Sequence, residues 1–146
     1  MRAYADTSFV VSLYIQEEIR TQAAAAYMEC NREALPFTPQ HRLETRNAIR
    51  LLVWSKRIST VQRTTALRQI EEDLDNEDYL HHAALDYTET FRRAERLGAA
   101  YNEAIGCRSA DLFHVAAAME LGLKEFLTFD ERQRAMAEAA GLKVIL

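Results

Sequence analysis

Very short apolar runs alternate with long helical periods along this chain, and that alternation restricts its fold more than any other feature. Ala3-Tyr4-Ala5 is an apolar run that stops at Asp6-Thr7-Ser8. Leu35-Pro36-Phe37-Thr38, the weaker stretch from Asp78 to Ala83, Phe126-Leu127-Thr128 and Val144-Ile145-Leu146 read as the other strands. Between them the apolar spacing predicts helices. One follows Ser8 through Phe9, Val10, Val11, Leu13 and Ile15, and the next runs from Ile19 to Asn31. Others span Gln40 to Trp54, Thr60 to Leu74, Tyr87 to Ala104, Ser109 to Leu121 and Glu131 to Ala139. Pro39 suits a first helical turn, Gly106 breaks a helix, Ser109 is the expected cap of the next, and Gly122 and Gly141 end helices. Strands this short, separated by helices of roughly ten residues or more, favour an α/β fold. The expected sheet is mainly parallel, has about four or five strands, and carries helices on both faces.

The length of 146 residues suits one domain, and 49% hydrophobic with 27% charged residues is a globular composition. The two cysteines, Cys30 and Cys107, form no C-x-x-C pattern, so neither a disulfide framework nor a structural zinc site is expected. No apolar run reaches the length of about 18 residues that crosses a bilayer. The first residues lack the pattern of a secretory signal, which makes the cytoplasm the expected location. Net charge is −4, unlike a strongly basic nucleic-acid binder. No phosphate-binding glycine loop is present, so a nucleotide cofactor is not expected.

Four acids stand out. In an open parallel sheet, ligands sit beyond the carboxyl ends of the strands. Asp6 directly follows the first strand, and Asp130 lies two residues beyond Thr128. Asp111 falls in the first turn of the helix beginning at Ser109. Each also suits a helix N-terminus, where free N–H groups favour a carboxylate, so capping alone explains any one of them. Asp130, followed by Glu131-Arg132-Gln133, is the most cap-like. Glu44 is harder to explain by capping. At 100° per residue, Leu43, Ala48, Leu51, Leu52 and Trp54 cover one broad face expected to pack inward, with Glu44 in its middle. A carboxylate there needs a cation, a metal or a cleft. Arg42, Arg46 and Arg50 repeat on a different face as a basic stripe, with Ile49 and Val53 on that outer side. His114 points away from the stripe Leu112, Val115, Ala116 and Met119 and reads as structural or surface. The acidic run Glu71 to Asp78 reads as a solvated helix end.

Converging carboxylates repel each other unless a hard divalent cation neutralises them, and Mg2+ or Mn2+ prefers such oxygen donors. Such a site activates water against a phosphodiester. With the four acids set aside, the remaining acids equal the bases in number. Binding of a polyanion then falls to the metal and to local patches such as Arg42, Arg46, Arg50 and Arg108.

Four segments resemble a known family. They are Y-A-D-T-S-F-V-V-S-L-Y near the start, P-Q-H-R-L-E-T-R-N-A-I-R in the middle, R-S-A-D-L-F-H-V-A-A-A-M-E-L-G, and the closing F-L-T-F-D-E-R-Q-R-A-M-A-E-A-A-G-L-K-V. In this order they resemble a PIN domain, and more narrowly the VapC-type toxins of type II toxin–antitoxin modules. The resemblance covers essentially the whole chain. It implies a single domain over residues 1–146, folded as a three-layer α/β/α sandwich. It implies an Mg2+- or Mn2+-dependent endoribonuclease using a metal-activated water. The acidic quartet maps onto Asp6, Glu44, Asp111 and Asp130, as metal ligands and catalytic acids. Supporting hydroxyls map onto Thr128 and onto Thr7 or Ser8. The resemblance also implies an RNA substrate, a homodimer, and an antitoxin that covers the acidic cleft. Residues 55–101 carry no recognisable motif and leave substrate choice open.

Other functions fit less well. A haloacid-dehalogenase-type phosphatase wants an acid where Ser8 stands, and a receiver domain wants a lysine after a late strand, whereas Lys124 precedes its strand. A structure-specific DNA nuclease needs inserts for which there is little room. The alternative from another class is a non-catalytic PIN-fold module that binds RNA or protein. Ile49 and Val53, expected off the core, are candidate contacts for a second subunit or an antitoxin.

Overall fold

Residues 3–16 and 18–146 are described in a computed structural model of the chain; Met1, Arg2 and Glu17 lie outside the described residues. In chain order they form β1 (Ala3–Ala5), α1 (Thr7–Tyr14), α2 (Glu18–Asn31), β2 (Leu35–Phe37), α3 (Pro39–Trp54), α4 (Thr60–Asn76) and β3 (Leu80–His82). Next come α5 (Tyr87–Leu97), a π-helical segment Gly98–Asn102, α6 (Glu103–Ile105), α7 (Ser109–Glu120), β4 (Glu125–Leu127), α8 (Glu131–Ala139) and β5 (Lys143–Val144). The chain divides into two compact units, Met1–Asp6 with Ala84–Leu146, and Thr7–Ala83.

The first unit holds a parallel sheet in the order β1-β4-β5. Ala3, Tyr4 and Ala5 stand opposite Glu125, Phe126 and Leu127. Both strands are buried throughout, as strands of a covered parallel sheet must be. The Asp6 N–H donates to the Leu127 carbonyl at 3.0 Å, extending the ladder one residue past β1. The core joins Tyr4 and Phe126 to Phe113, Val115 and Ala116 of α7 and to Met136 of α8. All of Phe113 to Ala118 is buried, so α7 is covered on more sides than the four-residue stripe suggested. Small side chains permit this, because three successive alanines let neighbours approach from every direction. Gly122 adopts φ +70° after α7, as a helix-ending glycine does. Ser109 is the first helical residue rather than the cap. Arg108 takes the cap position, and the Asp111 carboxylate accepts its backbone N–H at 3.2 Å, which makes a serine hydroxyl unnecessary.

The second unit contains the parallel pair β2-β3, with Leu35 opposite Leu80 and Phe37 opposite His82. Thr38 caps α3 reciprocally with His41. The Thr38 hydroxyl accepts the His41 N–H, and His41 Nδ1 lies 3.1 Å from the Thr38 nitrogen. Pro39 occupies the first turn, as expected. Ser59 and Gln62 form the same kind of box at the start of α4.

The inward face of α3 differs from the expectation. His41, Thr45 and Ile49 are buried, whereas Leu43, Leu51 and Trp54 are 68%, 52% and 81% exposed. Ile49 therefore belongs to the core and not to the outer side. Helical spacing says which residues share a face but not which face turns inward. Here the cap decides, because His41 is held by Thr38 and stacks on Phe37 with ring centroids 5.7 Å apart. The acidic run is likewise less solvated than its charge suggests. Glu71 pairs with Arg42 and Arg46, and Asp73 accepts the Tyr14 hydroxyl at 2.6 Å.

The expected α/β class and the parallel strand pairing hold. The five strands are arranged as a sheet of three and a sheet of two. Among the described residues, no helix is long and apolar enough to cross a membrane.

Candidate active site

In the first unit Asp6, Thr128 and Asp130 lie together just beyond the ends of β1 and β4. Asp6 is only 4% exposed. The Thr128 hydroxyl lies 2.6 Å from Asp6 Oδ2 and donates to it. The same hydroxyl oxygen accepts the Asp130 N–H at 3.0 Å. Asp130 caps α8, its Oδ1 accepting the Gln133 N–H at 2.8 Å. Asp130 thus does serve as the helix cap its sequence context implied, and its second carboxylate oxygen is not used by that bond. Asp111 sits in the first turn of α7 with Arg108 beside it, the Arg108 Nε being 3.3 Å from Asp111 Oδ2. The Arg108 side chain is largely exposed, so this ion pair contributes little and yields readily to a better partner.

The second unit supplies the remaining expected residues. The Thr7 hydroxyl donates to Glu44 Oε2 at 2.9 Å. Of the two hydroxyls that follow Asp6 in the chain, Thr7 therefore makes the carboxylate contact, and Ser8 is exposed. Glu44 is half-buried and does not lie inside an apolar face, since Leu43 beside it and Leu51 two turns further along are exposed. Arg42 and Arg46 share Glu71 as an acidic partner, and the exposed Arg50 bonds the Arg46 carbonyl. Pro39, Arg42, Leu43, Arg46, Asn47 and Arg50 line a shallow groove along α3.

Buried Cys107 reports on the field around the first-unit acids. Burial pushes its thiol up to about 11, with the nearby charges of Asp111 and Asp130 adding to the effect and Arg132 and Arg108 opposing it. The thiol donates to the Arg132 carbonyl at 3.3 Å. A thiol held protonated in a field of carboxylates is not a nucleophile.

The donor set fits a hard cation in its chemistry, being carboxylates supported by hydroxyls. Among the described residues, no three Asp, Glu, His or Cys side chains form a ready-made ligand group.

One participant escaped the sequence reading. Gln133, buried to 1% exposure, reaches the Asp111 carbonyl with Nε2 at 3.3 Å and the Thr128 hydroxyl with Oε1 at 3.2 Å. Gln133 gave no signal in sequence, because its Nε2 meets a carbonyl on another helix that only the fold brings to it. Of the two readings open for His114, structural or surface, the structural one holds: it is buried and its Nδ1 lies 2.7 Å from the Tyr4 hydroxyl.

Comparison with known proteins was informative at the level of fold. FitAcB from Neisseria gonorrhoeae is similar at 12% identity with a TM-score of 0.66, over 99% of this chain and 96% of that one. VapC20 from Mycobacterium tuberculosis, described as a sarcin-ricin loop cleaving toxin, is similar at 18% identity with a TM-score of 0.65, over 96% and 95% of the two chains. VapBC-5, from the same organism and described as a member of the VapBC family of toxin-antitoxin systems, shows 22% identity and a TM-score of 0.56, over 99% and 98%. No curated protein sequence matches the chain. The PIN domain family model matches residues 3–139, taking in the acids of both units, and the chain accordingly belongs to the PIN-domain family.

Proposed function

We propose that this protein is a metal-dependent endoribonuclease, the toxin of a toxin–antitoxin pair acting in the cytoplasm. The observation that carries the reading is the buried Asp6 carboxylate, held by Thr128 at the carboxyl ends of two adjacent parallel strands. In a PIN domain this is where a polyanion would meet acids, and acids there are useful only with a cation. We propose Asp6, Glu44, Asp111 and Asp130 as the acids that bind Mg2+ or Mn2+ and take part in catalysis. Bound there, the metal supplies charge neutralisation at the phosphodiester and activation of water.

The chain's own residues do the rest of the work. Thr128 holds the Asp6 carboxylate, and Thr7 holds that of Glu44. Arg108, Arg42, Arg46 and Arg50 contact the RNA or the antitoxin. The toxin role draws support from VapC20 and VapBC-5, whose descriptions name a toxin and a toxin–antitoxin family. We propose further that both units together make one PIN domain, because the family match spans them. The protein acts as a homodimer, a reading supported by the exposed apolar residues Leu43, Leu51 and Trp54 on α3.

Growth tests the toxin role. Induced expression of the wild-type chain is expected to arrest growth, whereas Asp6→Asn leaves it unaffected. Co-expression of the adjacent gene's product is expected to restore growth and to co-purify with the chain. Equal arrest by wild type and Asp6→Asn would point instead to a non-catalytic binding module.

A further inference from the structure

We propose that Gln133 is a positioning residue that sets the spacing of the first-unit acids; this rests on the metal-site reading above. A buried primary amide must find partners for its donors and its acceptor. Gln133 finds them on the segments that carry the acids. Its backbone N–H donates to Asp130 Oδ1, its Nε2 donates to the Asp111 carbonyl, and its Oε1 faces the Thr128 hydroxyl that holds Asp6. The orientation of the amide follows from chemistry, since a backbone carbonyl only accepts, which turns Nε2 toward Asp111. One side chain thus ties the start of α8, the end of β4 and the first turn of α7. Outer groups of this kind hold metal ligands in place, and losing one typically weakens metal affinity 10- to 100-fold.

The test is calorimetric titration of the whole, antitoxin-free protein with Mn2+, comparing wild type, Asp6→Asn and Gln133→Met. Methionine keeps the volume and removes both side-chain bonds. Wild type is expected to bind, Asp6→Asn to lose binding, and Gln133→Met to bind at least about tenfold more weakly at a temperature where circular dichroism shows all three folded. A lowered melting temperature with unchanged Mn2+ affinity would make Gln133 structural only and overturn the proposal. Wild type that binds no Mn2+ would overturn the metal reading itself, and the proposal with it. A measurement on wild type covers the case in which Gln133→Met does not fold. The Gln133 side-chain amide protons are expected to be slow to exchange and to shift on addition of Mg2+ in NMR spectra. Rapidly exchanging protons that Mg2+ does not move would contradict the proposal.

Discussion

Thr128 has a single hydroxyl proton and several polar neighbours, and where that proton goes matters for Asp6. The carboxylate oxygen at 2.6 Å is nearer and more basic than the Gln133 oxygen at 3.2 Å, so Asp6 takes the stronger branch of a shared bond and Gln133 Oε1 the weaker. Thr128 and Asp130 were legible in sequence because both stand within two residues of a strand end. Gln133 was not, because the carbonyl it bonds sits on another helix, and His114 was legible only as structural or surface, since its partner Tyr4 is 110 residues away. His114 shows the energetic side of this. Its bond to Tyr4 joins the helix bearing Asp111 to the strand bearing Asp6. Tyr4→Phe removes the hydroxyl and is expected to lower stability by about 1–3 kcal/mol, read from urea denaturation. Unchanged stability would show that the bond contributes nothing net.

At the scale of elements, boundaries were far more legible than faces. Pro39, Gly122 and Gly141 mark ends through backbone chemistry that depends on one residue, and α3, α7 and α8 begin or stop within a residue or two of where these signals lie. The inward face of α3 was misread because two candidate stripes share the same period. Leu43, Leu51 and Trp54 are the more apolar stripe, yet His41, Thr45 and Ile49 are the buried one. Trp54 is the only tryptophan and is 81% exposed, so its fluorescence reads association directly. We expect a dimer mass by light scattering at tens of micromolar, with blue-shifted Trp54 emission that returns to the solvated value on dilution. Leu51→Glu is expected to give the monomer mass. A monomer at every concentration, with emission that does not change, would contradict the homodimer.

For the molecule as a whole, alternation of short strands and helices was enough to indicate parallel pairing, and the four motif segments were enough to indicate the family. What sequence could not convey is how the strands group, because strand pairing is decided by side chains far apart in the chain. The strands form one sheet of three and another of two, and the acids divide accordingly, with Asp6, Asp111 and Asp130 in one unit and Glu44 in the other. We propose that all four take part in the reaction. The most direct measurement is cleavage of total RNA by the purified, antitoxin-free protein, with Mg2+ or Mn2+ and with EDTA, beside Asp6→Asn and Glu44→Gln. The expected result is metal-dependent cleavage that EDTA abolishes and that each substitution lowers by at least about tenfold, the least that loss of even an outer partner of a metal ligand costs. Cleavage that persists in EDTA, or that survives Asp6→Asn, would contradict it.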